Sequence, residues 1–244
     1  MFKKIYEIIK GNKNGWLGSV GRDLPAHNTP CRQGDSDRSD IRVFEERLAA
    51  ESDGDWLCGS RTAQESFSKW LIATAKENSL FLTNDECHQL GERKKLPSGE
   101  SVIYTNAAQG MVYKVRDPFA KLHLKSPDLR NILYEHIVHN ILFPDTSYSL
   151  VGITEEIDSA RLVLSQRFVF DTNVPNQNQI DEYLAAKGLF PEGRYYYGND
   201  YLAVTDVNAT GDNVFISEEG QLKFIDPIIK IKKTALETID FYCN

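Results

Sequence analysis

The chain has 244 residues, 41% of them hydrophobic, and a net charge of -7. That length suits one two-lobed domain or two small ones. The acidic balance argues against general nucleic-acid binding, which needs a basic excess. Cys31, Cys58, Cys87 and Cys243 are widely spaced with no CxxC pair, so neither a zinc site nor a disulfide framework is expected, and a reduced cytosolic state is the simplest reading.

The N-terminal MFKKIYEIIKG has an apolar run too short and too interrupted for a signal peptide or membrane span. A cytoplasmic location without membrane contact is the expectation. Residues 2–10 suit a short helix ended by Gly11. Residues 11–40 are rich in Gly, Asn, Asp, Ser and Pro and read as a loop, and 41–51 turns helical. Residues 1–60 are therefore taken as an N-terminal arm.

Phe67, Trp70, Leu71 and Ala75 recur at helical spacing across 62–78, with Thr62 as the expected cap. A second helix begins at Thr83-Asn84-Asp85 and stops at Gly91. The period then changes. Glu100 to Asp117 reads as two strands around a turn from Asn106 to Gly110. Ser126-Pro127 starts a helix with Leu129, Ile132, Leu133, Ile137 and Ile141 on its apolar face. Residues 149–170 give two more strands around Asp158-Ser159. A short helix follows near 180–187, ended by Gly188, and then a hairpin within 204–227 with Glu219-Gly220 at its turn. Helices alternating with antiparallel hairpins make an α+β pattern.

Five polar residues stand out in this order. Lys114 lies inside an apolar strand and Glu135 among apolar helix neighbours, so the two could pair. By themselves they also fit a strand-face lysine and a solvated carboxylate. Asp206 follows LAVT, Asn213 opens the last hairpin, and Asp226 closes it. Separately each is an ordinary turn or strand-end residue. Together they supply a base for an incoming hydroxyl and hard oxygen ligands for a magnesium ion.

The order Lys114, Glu135, Asp206, Asn213, Asp226 is that of the protein kinases. With SGESVIYTNAAQGMVYKV, LVLSQRFV, GLFPEG and VTDVNATGDNVFISEEGQLKFIDP, the chain resembles the kinase-like domains of bacterial and phage polyvalent proteins, over about residues 65–228. The resemblance implies a two-lobed fold over 61–244, with an antiparallel-sheet N-lobe (about 61–170) and a reduced C-lobe (about 171–244). It implies ATP and Mg²⁺ as cofactors. Lys114 would hold the α- and β-phosphates with Glu135 as its ion-pair partner, Asp206 would be the catalytic base, and Asn213 and Asp226 would hold the metal. Backbone groups of Gln166, Arg167 and Phe168 would meet adenine, with Val112 and Phe224 around the ring. The acceptor is a protein or small-molecule hydroxyl.

Departures from the kinase pattern leave a second reading open, a pseudokinase-like nucleotide-binding or protein-interaction module. The glycine-rich loop is missing, and Arg93, Lys94 and Lys95 stand there, able to touch phosphates but reading better as a solvated basic turn. Val204-Thr205 replaces His-Arg, and Pro227-Ile228 replaces Phe-Gly. The stretch after Asp226 is too short for the usual activation segment and helical substrate platform, so a minimal second lobe is expected. His136 and His139 could chelate a metal at their spacing of three, but with no third ligand in view they read better as surface or half-buried histidines. The aromatic run 194–201 reads as a packing or substrate loop.

Overall fold

In the computed structural model, residues 61–94, 101–119, 130–170, 173–210 and 213–232 are described. The expected helices of 2–10 and 41–51, the loop 11–40, Lys95, the Ser126-Pro127 helix start and three of the four cysteines lie outside them. The fold mixes helices with antiparallel sheet, the α+β class expected from the alternation of periods. Contacts divide it into two units. The described residues of Pro30–Leu133 with Ser147–Phe168 form the first, and Tyr134–Thr146 with those from Val169 onward form the second.

The first unit is built on a five-stranded antiparallel sheet in the order β1-β2-β3-β5-β4. Its strands are β1 (Glu92–Lys94), β2 (Ser101–Asn106), β3 (Met111–Arg116), β4 (Ser149–Glu156) and β5 (Ser159–Arg167). Helix α1 (Arg61–Glu77) buries Phe67, Leu71 and Ala75 against Leu162 and Leu164 of β5 and Ile153 of β4. That is the apolar face its spacing predicts. Thr62, expected as its cap, lies inside the helix. Helix α2 (Asn84–Gln89) starts as expected: Thr83 accepts the Glu86 amide, and the Glu86 carboxylate accepts the Thr83 amide. Its Cys87 packs with Tyr104, Val115 and Val163 on the opposite sheet face.

Between α1 and α2, Leu80 and Leu82 exchange backbone hydrogen bonds with Ile153 of β4, covering the open side of an edge strand. Glycine is required beside this contact. A Cβ on Gly152 would stand 2.4 Å from the Leu80 carbonyl oxygen. The β4–β5 turn uses Ile157 and Asp158, both at positive φ, the backbone that a two-residue hairpin demands. Arg93 and Lys94, expected in a basic turn, instead lie in exposed strand β1, and Lys94 pairs with Glu92 at 2.7 Å.

Helix α3 (Arg130–Leu142) falls mostly in the second unit. Val138, His139 and Leu142 are its deeply buried described positions, His139 at 2% exposure where the sequence suggests a surface or half-buried histidine, while Ile137 and Ile141 pack at the margin. Helix α4 (Gln177–Ala186) is capped by Asn176 and Gln179 and buries Ile180 and Leu184. A four-stranded antiparallel sheet, order β11-β8-β7-β6, comprises β6 (Phe190–Gly193), β7 (Tyr196–Gly198), β8 (Leu202–Thr205) and β11 (Ile228–Ile231). The aromatic run 194–201, read as a packing or substrate loop, spans the β6–β7 turn, strand β7 and the bend before β8, and its Tyr197 packs in the core at 3% exposure. The last hairpin, β9 (Val214–Ile216) with β10 (Leu222–Phe224), forms as expected, with Gly220 at φ +78° in its turn.

Among the described residues no helix is long and apolar enough to cross a membrane, which says nothing about strand-built membrane proteins.

Candidate active site

Strand β8 reads LAVT, and Leu202, Ala203 and Val204 are all buried. The chain leaves the sheet at Asp206, which takes φ +62°. Among side-chain-bearing residues, Asp and Asn tolerate this left-handed region best. Val207 returns at once to the core, fully buried. An exposed carboxylate thus stands between two anchored neighbours.

Asn213 immediately precedes β9. Its side-chain amide donates to the Asp206 carboxylate at 2.7 Å and to the Asp206 carbonyl at 3.2 Å. Its own carbonyl accepts the Ile225 amide at 2.8 Å, extending the β9–β10 ladder by one residue. Asp226 is the next residue. It is half-buried and sits in the bend that leads into β11, whose Ile228 pairs with Thr205 of β8. Two ladders therefore bring Asp206, Asn213 and Asp226 to the same end of the strands. The hairpin pattern predicts the Asn213–Asp226 part of this, whereas the β8–β11 pairing has no signal in the sequence.

With its amide nitrogen turned to Asp206, Asn213 keeps an oxygen for another partner. Asn213 and Asp226 together offer two hard oxygens, which suits an ion such as Mg²⁺ that takes its other ligands from water and phosphate. No cluster of three His, Cys, Asp or Glu side chains able to cage a metal occurs among the described residues.

In the first unit, Lys114 is only 5% exposed. That removes the alternative of a solvent-facing strand lysine. It lies between Ile103 of β2 and Leu164 of β5. Its ammonium donates to the Tyr148 hydroxyl at 3.0 Å and stands 5.0 Å from the centre of that ring. An ammonium this deep needs such partners, because desolvation disfavours its charge. Tyr148, just ahead of β4, is a partner that sequence reasoning missed. Nothing in its spacing marks it, because the contact joins residues 34 positions apart. Glu135 is half-buried on α3 and belongs to the other unit.

Gln166 is buried and pairs with Val112, while Arg167 pairs with Met111. Phe168 is 40% exposed, and its amide donates to the Gly110 carbonyl at 2.9 Å. That donor, expected to meet adenine, is engaged inside the sheet unit. Phe224, expected beside the adenine ring, is instead a core residue at 1% exposure. Its ring stacks on Phe143 at 4.4 Å and on Tyr183 at 4.9 Å, and its carbonyl accepts the Thr146 hydroxyl at 2.6 Å. Strand alternation in β10 turns Phe224 inward, and the rings of Phe143 and Tyr183 stack on it.

The model of the family described as Serine/Threonine/Tyrosine Kinase found in polyvalent proteins matches residues 64–233. The chain belongs to this kinase family. No curated protein and no solved structure matches it. Within the family match lie all five residues that share the kinase order, and so does Tyr148.

Proposed function

We propose that this kinase-like domain is a compact ATP-dependent phosphotransferase. It would have a two-lobed fold, with the sheet unit as the nucleotide-binding N-lobe (about 61–170) and a reduced C-lobe (about 171–244), preceded by the arm of residues 1–60. The observation that carries this reading is the Asp206–Asn213 contact, with Asp226 delivered to the same strand ends in a chain of this family.

In this reading Lys114 contacts the α- and β-phosphates, and Glu135 holds it there. Val112 and the Gln166–Phe168 segment border the base. Asn213 and Asp226 would hold Mg²⁺, which would supply positive charge beside the phosphates. Asp206 orients the acceptor hydroxyl and takes its proton as the oxygen attacks the γ-phosphorus, while the bond from that phosphorus to the β–γ bridging oxygen breaks and ADP leaves. The contact from Asn213 fixes the direction of its carboxylate. Catalysis then rests on positioning and charge stabilisation. The acceptor is a hydroxyl of a protein or small molecule.

A second reading, a nucleotide-binding or interaction module without transfer, is favoured by one observation. The Phe168 amide is already donated to Gly110, which withdraws a donor from the base.

The deciding experiment is a thermal shift with ATP and Mg²⁺ on the wild type and Asp226→Asn, followed by γ-phosphate transfer assays. A ligand at 100 times its Kd stabilises by about 2.7 kcal/mol. A metal-dependent shift lost in Asp226→Asn, with transfer in the wild type, is the expected result. A shift without transfer selects the second reading. No shift in either protein overturns the nucleotide site.

A further inference from the structure

We propose that Gln177 is a positioning residue for the loop that carries Asp206 and Asn213, held in its working orientation by Tyr197 and Asp181. The inference rests on the phosphotransferase reading of Asp206.

Between the end of β8 and the start of β9 the chain leaves the sheet, and its described residues are held by side chains. Val207 packs into the core. Asn208 turns back locally, accepting the amide and hydroxyl of Thr210, both at 3.0 Å. Ala209 reaches another element: its amide donates to the Gln177 side-chain oxygen at 3.2 Å. Gln177 is the first residue of α4, so the loop is tied to a helix whose Ile180 and Leu184 are fully buried.

A glutamine amide can present either its oxygen or its nitrogen to a neighbour. Here the choice is made on the far side. Gln177 Nε2 donates to the Tyr197 hydroxyl at 2.6 Å and to Asp181 Oδ1 at 3.2 Å. The Tyr197 hydroxyl donates in turn to Asp181 Oδ1 at 2.5 Å. A carboxylate only accepts, so Asp181 sets the direction of every bond in the chain. Turning the amide over would put its oxygen against Asp181 and its N–H groups against the Ala209 amide. Burial, reinforced by Asp181, pushes the Tyr197 hydroxyl up to about 12, so at neutral pH it remains a donor. Tyr197 stands opposite Val204 of β8, two residues from Asp206. The network therefore ties α4, strand β7, which pairs with the strand leading to Asp206, and the loop that ends at Asn213. A loop shift of about an ångström would displace Asn213 from Asp206, and such displacements cost up to about a hundredfold in rate.

The test uses the full chain and Mg²⁺–ATP, with wild type, Gln177→Leu and the milder Tyr197→Phe. Three quantities are measured: hydrogen exchange of the Ala209 amide, the NMR signals of the Asn213 side-chain amide, and kcat and KM for ATP in phosphate transfer. Gln177→Leu is expected to speed Ala209 exchange by about tenfold, the scale of one hydrogen bond. It should also move the Asn213 amide protons toward free-amide positions and lower kcat with KM for ATP unchanged. Tyr197→Phe should do the same to a smaller extent. Unchanged Ala209 exchange and Asn213 signals overturn the proposal, and Tyr197→Phe decides this alone if Gln177→Leu does not fold. Altered signals with an unchanged kcat overturn it too. A wild type that transfers no phosphate sinks the phosphotransferase reading, and with it the catalytic part of this inference. The NMR readings still decide whether Gln177 holds the loop.

Discussion

Asn213 donates its side-chain amide to the carboxylate of Asp206 at 2.7 Å, across a loop whose first residue has left-handed backbone. The contact joins the two residues to which the proposed function gives the acceptor hydroxyl and the metal. It also separates chemistry from folding. Asp206→Asn preserves the tolerance for φ +62° and can still accept from Asn213. The expected outcome is loss of phosphate transfer with an unchanged melting temperature and unchanged ATP binding. Asp206→Ala adds a backbone penalty of about 1 kcal/mol. Transfer assays beside thermal denaturation check both, and unchanged transfer in Asp206→Asn removes Asp206 from the base role.

Lys114 is buried with its ammonium on the Tyr148 hydroxyl. Tyr148→Phe keeps the ring and removes an acceptor from a buried charge. Stability should fall by about 1–3 kcal/mol, the scale of a hydrogen bond to a charged group. Lys114→Met removes the charge along with the need for partners, so the double variant should recover most of that loss. A double-mutant cycle in urea measures the coupling. Additive effects would show that the contact contributes nothing to stability.

Phe224 is packed between Phe143 and Tyr183. Phe224→Ala should lose about 3–5 kcal/mol, as large-to-small core changes do. The Kd for ATP of the fraction that remains folded should be unchanged. Isothermal titration at low temperature separates the two effects. Weakened binding by well-folded Phe224→Ala would restore this ring to the adenine site.

Tyr197 has a hydroxyl raised from 10.0 to about 12, chiefly by burial and then by Asp181. A folded-state value above the unfolded one favours the protonated form in the fold. The stability it contributes is complete below pH 10 and is lost as pH rises from 10 to 12. Burial raises Tyr183 in the same direction. Tyr197→Phe should therefore flatten the alkaline loss of stability, and Tyr183→Phe should flatten it further. Urea denaturation at pH 8, 10 and 11 measures this. An identical alkaline decline in the wild type and both variants would contradict the assignment.

Much of the local structure was legible in the chain. The helix start at Thr83-Asn84-Asp85, the α1 stripe of Phe67, Leu71 and Ala75, and the β9–β10 hairpin rest on interactions within a few residues of one another. Short-range periodicity and capping chemistry encode these directly. The order of Lys114, Glu135, Asp206, Asn213 and Asp226 was equally visible, and with it the kinase family.

Tertiary structure decided the rest. Strands of three or four residues such as β7, β8 and β11 carry too little pattern to announce themselves, and β8 meets β11 across more than twenty residues of intervening chain. Whether Lys114 faces water or the interior, and whether Phe224 faces a ligand or the core, depends on which sheet face each strand buries. Alternation leaves that choice open until the neighbouring layers are in place. The Gln177–Tyr197–Asp181 network has no spacing signature, because its hydrogen bonds join a helix, a strand and a loop that only the packed core brings together.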